Sequence, residues 1–386
     1  MKYEVLRLIR RKSVIAMLIV EFIVAIVFGI ISVNAESATV SEDKLPIRGR
    51  SAFLMNEEKI KNNEPKLITS DNSQRIMDDI KQKKTDDDRG VYVSEKYPSL
   101  GSEILATYNF SDKKNKFDIK LNRANFIKQK MKIQNLSFPL KDNLEIEKRE
   151  NGLGDCLKNG YCLPWKNLYS GMGLFSVLNI IVTILITTSS VLEEKKSNMA
   201  ETIYCSKKNV FVKVWKNKAL SMAFLVCAVY VISVLLMLCT FFMLGGKCSF
   251  SGAVQMVYYG SLYKGNMFTL LCQIVIMNIL ANVAVLLFTF IVGYKMKNHL
   301  YVMLISLFVV FAPSVLRRIS VLPIYVQKFI RILPINVIYC KDVVESLYIY
   351  WIGSKSFLNV SAIQISCLII ILLEYAIWKT MSKCKA

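Results

Sequence analysis

Residues 13–33 read SVIAMLIVEFIVAIVFGIISV, twenty-one positions with one charge, Glu21. An α-helix needs about 20 apolar residues to cross a hydrocarbon core of about 30 Å. A helix apolar on every side for that long is a membrane span or a deeply buried core element. Five further runs of this kind follow, at 170–192, 219–244, 267–294, 300–321 and 358–378. Between the first run and the rest lies a mostly polar stretch, residues 34–168. The layout predicts an α-helical integral membrane protein with six transmembrane helices and a mixed α/β extracellular domain between helices 1 and 2.

Charge supports this layout. The chain is 386 residues long, with 50 Lys and Arg against 29 Asp and Glu. Residues 34–168 hold 25 basic and 21 acidic residues, so the excess sits in short connectors and at span ends. That is the distribution of topology signals rather than of a nucleic-acid surface, and no nucleic-acid partner is expected. Lys2, Arg7, Arg10, Arg11 and Lys12 place the N-terminus on the cytoplasmic side, and Lys379, Lys383 and Lys385 place the C-terminus there too. The chain then divides into 1–33 (cytosolic N-terminus and first span), 34–168 (extracellular) and 169–386 (five spans). The last part contains a cytosolic connector, 193–218, and an extracellular segment, 317–357. The basic residues before Ser13 and the sequence Val33-Asn34-Ala35 resemble a cleavable signal, but the apolar stretch exceeds a usual signal core, so a retained anchor is expected.

Within 34–168 the spacing of Phe53, Leu54 and Ile60, of Ile76 and Ile80, and of Phe126, Ile127 and Met131 predicts amphipathic helices, whereas Phe117, Ile119 and Leu121 alternate as in a strand. Asp86-Asp87-Asp88 reads as a solvated loop. Cys156 and Cys162 flank the turn sequence Lys-Asn-Gly-Tyr, and either a local disulfide in an oxidising space or two free thiols fits them. A single histidine, His299, and ten cysteines without a zinc spacing leave little for metal or His-based catalysis. No cofactor or metal site is expected on this chain. Pro313, just before 317–357, and Pro323 and Pro334 within it predict short, broken helical pieces, and a half-inserted hairpin is compatible with irregular backbone buried by protein.

Polar positions inside the spans stand out at Glu21, Asn179, Gln273, Asn278, Asn282, Gln364 and Glu374. Glu21 is costly in lipid and is expected to face protein or water, either lining a pathway or bonding a neighbouring helix. Asn278 and Asn282 lie one turn apart on span four. Such amides join helices more often than they contact a substrate. Glu374 lies near the cytosolic end of the last span.

The connector 193–218 holds seven lysines. It opens on Glu193 and Glu194, against the usual positive flank. Met199, Ala200, Ile203 and Tyr204 then mark one face of a short helix, which needs a partner surface or the membrane interface to cover it. Glutamates after the second span, a short helix, a polar basic turn and a lysine opening the third span together resemble the permease subunit of type 2 ABC exporters. The matching positions are Glu193, Glu194, Met199, Glu201, Thr202, Ile203, Tyr204, Ser206, Lys207 and Lys218. The six-span count, the cytosolic ends and the broken stretch before the last span also match. A large insertion after span one is common in the branch from low-GC Gram-positive bacteria. The resemblance implies a coupling helix that docks into a separate ATPase subunit, which binds ATP and Mg. It also implies a second permease subunit, as homo- or heterodimer, and export of a hydrophobic or amphipathic substrate such as a peptide, antibiotic or lipid-like molecule. The chain lacks G-x-x-x-x-G-K-[ST], so the resemblance implies a transport subunit and no enzyme of its own. The alternative is a membrane-anchored sensor or scaffold whose outer domain binds a ligand or partner.

Overall fold

A computed structural model describes residues 2–39, 45–82, 86–99, 119–134, 136–154, 156–196, 208–319 and 322–384. Fourteen α-helices are described: α1 Lys2–Ile9, α2 Lys12–Asn34, α3 Arg50–Asn63, α4 Ser70–Lys81, α5 Asp86–Lys96, α6 Ile119–Ile133, α7 Leu140–Asn151, α8 Leu163–Lys196, α9 Lys208–Gly245, α10 Met267–Lys295, α11 His299–Leu316, α12 Ile324–Arg331, α13 Cys340–Val344 and α14 Asn359–Cys384. Six of them (α2, α8, α9, α10, α11 and α14) are long and apolar enough to cross a membrane, which supports an α-helical, multi-pass membrane protein.

The bundle is arranged around α8 and α10. Helix α10 packs on α8, α9, α11 and α14, while α2 lies along α8 and α9. Two thirds of the apolar window of α8 (67%) is buried by protein, against 11% for α11 and 22% for α2. Apolar side chains on the outer helices, such as Ile19 and Ile23 of α2 and Phe308 of α11, remain exposed, as surfaces that face hydrocarbon do. Close approach of α2 and α9 depends on Gly29. A Cβ there would lie 2.9 Å from the Met237 carbonyl oxygen and 2.9 Å from Thr240 Cβ.

The polar segment departs from the expected α/β character. It is helical in α3–α7, and its strands are two-residue pairs. β1 (Ser37–Ala38) pairs with β2 (Ile47–Arg48), and β3 (Leu67–Ile68) pairs with β4 (Leu157–Lys158), both antiparallel. The second pair joins positions near the two ends of the segment. Ile119 and Leu121, expected in a strand, begin α6, because the helical spacing from Phe126 onward extends back through them. The Asp86–Asp88 run opens α5 rather than forming a loop; acidic residues are favourable in a first helical turn.

The core of this segment continues into the bundle. The Phe53 ring packs edge-on to Tyr161 (centroids 4.9 Å apart) and to Phe241 of α9 (6.0 Å). At the exit of α2, buried Glu36 fastens three elements. Its Oε1 accepts from Asn56 Nδ2 (3.1 Å) and from Tyr161 Oη (2.7 Å), and its Oε2 accepts from Asn167 Nδ2 (3.2 Å). Burial raises the Glu36 carboxyl above its ordinary range, and the Tyr161 and Asn56 hydrogen bonds oppose that shift.

Between α11 and α14 the chain breaks at Pro323 and Pro334 as expected, but Pro313 lies inside α11. So near the helix end its ring displaces only one hydrogen bond. The 3₁₀ turn Pro334–Ile338 packs against α8, α10, α11 and α14. Gly173 permits the approach, since any Cβ there would collide with the Ile338 carbonyl. A hairpin, β5 (Tyr350–Ile352) with β6 (Lys355–Phe357), completes the connection. Its turn contains Gly353 at φ 61°, a conformation that favours glycine.

Side chains far apart in sequence tie α6 and α7 to this connection. Lys328 donates to Asp142 Oδ2 (2.5 Å), and Trp351 Nε1 donates to Asp142 Oδ1 (2.8 Å). Arg149 donates to the Ser356 carbonyl (2.9 Å), and Lys130 pairs with Glu345 (3.3 Å). The polar segment therefore caps the connection before the last span.

Candidate functional site

The connector that carries the family resemblance is anchored in the bundle at both ends. Helix α8 runs to Lys196 and α9 starts at Lys208, so both helices extend beyond the apolar runs 170–192 and 219–244 of the sequence. At 34 and 38 residues, and about 1.5 Å per residue, both exceed the thickness of a hydrocarbon core. Glu193 and Glu194 lie in the last turns of α8. Met199, Glu201, Thr202, Ile203, Tyr204, Ser206 and Lys207 lie outside the described residues.

Lys218 sits at the root of α9 and is 1% exposed. Its ammonium donates to the Ser190 carbonyl oxygen (2.6 Å) on α8 and lies 5.4 Å from the Trp215 ring. A buried cation needs such partners. Trp215 packs edge-on to Phe290 and Tyr294 of α10, both at 5.5 Å. Leu8 of α1 and Trp378 of α14 complete the cluster. The sequence singles out Lys218, but nothing in its spacing reveals Ser190 or Trp215 as its company. A rotation of the connector would be transmitted to α8, α9 and α10 through this cluster, because packed interiors carry strain rather than absorb it.

Deeper in the bundle, the polar positions found by sequence meet partners on other helices. Asn179 of α8 donates to Glu21 of α2. Ser176 Oγ donates to Asn278 Oδ1 of α10 (2.5 Å), and Thr183 Oγ1 donates to Asn282 Oδ1 (3.3 Å). The amides of Asn278 and Asn282 also donate to backbone carbonyls one turn back, at 3.0 and 2.9 Å. Gln364 of α14 donates to Gln273 Oε1 (2.7 Å). Each of these side chain–side chain bonds joins two spans. The gap beside Glu21 and Asn179 holds about 10 Å³, at the lower limit for one water molecule. The partner residues Ser176 and Thr183 are missed by sequence reading, because a hydroxyl inside an apolar run carries no signal of its own.

Cys156 is exposed and Cys162 is buried, and both are free thiols. Cys162 immediately precedes α8, with its Sγ toward the Ser249 carbonyl (3.9 Å), and burial raises its thiol to about 12. Comparison with family models, with curated proteins and with solved structures finds no match to this chain.

Proposed function

We propose that this protein is the membrane-spanning permease subunit of an ATP-driven ABC exporter of type 2. The observation that carries the reading is the rooted connector. Two long helices continue from the apolar runs into the connector 193–218, and Lys218 joins them through the Ser190 carbonyl. In this reading the stripe Met199, Ala200, Ile203 and Tyr204 docks into a separate ATPase subunit. ATP and Mg bind there, closure of the ATPase moves the connector, and the root cluster passes the movement to α8, α9 and α10. Glu21, Asn278 and Asn282 then act as interhelical links that break and re-form as the seam opens. The proposed cargo is hydrophobic or amphipathic, and a second permease subunit completes the pathway. In this reading the N- and C-termini face the cytoplasm and residues 34–162 face outward.

The test is co-purification in mild detergent with the ATPase encoded beside it. Wild type is expected to retain the ATPase, and Met199→Glu/Ile203→Glu is expected to lose it. Equal retention by the variant, or none by wild type, sinks the coupling assignment and favours the sensor or scaffold reading.

A further inference from the structure

Where α6 meets the connection before the last span, the protein encloses a cavity of about 890 Å³. Four cations line it, Lys130, Arg317, Arg318 and Arg331, against two carboxylates, Asp342 and Glu345. Two of the cations are neutralised in place. Lys130 pairs with Glu345 at 3.3 Å, and Arg317 pairs with Asp342 at 2.9 Å. Arg318 and Arg331 have no carboxylate partner among the described residues. The Arg331 guanidinium stacks over the Tyr348 ring at 4.7 Å, and that of Arg317 stacks over Tyr339 at 4.3 Å. These stacks hold the two forks at fixed angles. Burial and the nearby positive charge of Arg331 lower Arg317 below the usual arginine range. The cavity therefore carries two uncompensated positive charges, Arg318 and Arg331, and the Arg331 guanidinium is held by its ring stack.

The rim adds a second observation. Helix α12 is amphipathic. Gln327 and Arg331 line the cavity, whereas Tyr325 and Phe329 are 70% and 61% exposed. Val315 and Leu316, at the end of α11, which packs against α12, are exposed as well. A concave basic site that opens onto lipid-facing surface matches a molecule with an anionic head and apolar chains. Guanidinium forks bind phosphate oxygens in bidentate fashion, and aromatic stacking leaves their N–H edges free to do so.

We propose that this cavity binds the phosphate-bearing headgroup of an anionic lipid, held by Arg318 and Arg331, with its acyl chains over the exposed face of α12 and the end of α11. The site is independent of ATPase coupling, since neither arginine belongs to the connector.

The experiment is native mass spectrometry of the full chain released from nanodiscs that contain equal phosphatidylglycerol and phosphatidylcholine. Wild type is expected to retain phosphatidylglycerol in preference. Arg318→Gln/Arg331→Gln is expected to lose about tenfold or more of that adduct. Lys355→Gln, in the exposed hairpin turn, is expected to retain it. Melting curves in phosphatidylcholine alone separate lost binding from lost fold. If the double variant does not fold, Arg318→Gln, at an exposed position, carries the comparison. Equal retention of phosphatidylcholine, or an undiminished adduct in the variants, overturns the proposal. A second arm adds inorganic phosphate to protein in neutral detergent. No arginine-dependent thermal shift is expected. A shift that matches the one given by phosphatidylglycerol would assign the site to a soluble anion and overturn the lipid assignment.

Discussion

The seam inside the bundle and the cluster beneath α12 handle polarity in opposite ways. Between α2, α8 and α10, most of the interhelical bonds are made by amides and hydroxyls, such as Ser176 to Asn278 and Thr183 to Asn282. Between α7 and α12, formal charges meet in Lys328 with Asp142, and a third group, Trp351, is fixed by the same carboxylate. Where the alternative environment is hydrocarbon, a neutral polar pair costs far less to assemble than an ionic one. Outside the spans, a pair of charges is held in place when further hydrogen bonds satisfy it. The polar segment is thus joined to the last connection by charge, and the spans to one another mainly by amides.

Asp142 is where this contrast breaks most visibly. Asp142 is 3% exposed, and Asp142→Ala would strand the Lys328 ammonium and the Trp351 N–H. Because Lys328 still donates to the Ile349 carbonyl (2.9 Å), a loss of about 3 kcal/mol is expected, the lower end of the cost of removing one partner from a buried ion pair. Thermal unfolding in detergent, with protease cleavage within 119–151 as a local readout, would measure it. A loss below about 1 kcal/mol, the range of exposed pairs, would mean that α7 does not depend on this anchor.

Asn278→Ala tests the neutral side. It removes one interhelical acceptor and leaves Ser176 without its partner on α10, at an expected cost of about 0.6–2 kcal/mol. The same unfolding measurement reads it. If this variant destabilises as much as Asp142→Ala, the seam is no weaker than the ionic anchor, and the distinction drawn above fails.

The smallest effect is a pH dependence. Glu145 accepts from Ser356 Oγ (2.5 Å) and from Arg149 Nε (2.9 Å). The Ser356 bond and the Arg149 charge hold its carboxyl below the ordinary value of 4.5. A lowered folded value means stability that is fully present above pH 4.5 and is lost as pH falls through that lowered value. The contact of α7 with the β5–β6 hairpin should loosen in that acid window. Glu145→Gln should flatten this limb of the stability profile, and identical acid limbs for variant and wild type would remove Glu145 from the account.

The sequence itself determined the number of spans, most of the amphipathic helices and the polar positions within the bundle. A 20-residue apolar run, or a repeat of 3–4 residues, is a local property that each segment carries alone. Tertiary structure decided everything that depends on partners. Of the strand expected at Phe117, Ile119 and Leu121, Phe117 lies outside the described residues and the other two open a helix, and the described part of the expected α/β domain consists of helices with two-residue ladders, because short alternations do not survive when neighbouring turns favour another period. Glu21 found Asn179, and Lys218 found the Ser190 carbonyl. No spacing encodes either pairing, since a polar group selects its partner from whatever packing brings near it. The same is true of the contact of Asp142 with Lys328 across 186 positions. It exists because the packing of the six long apolar helices brings the connection before the last of them beside the segment that follows the first.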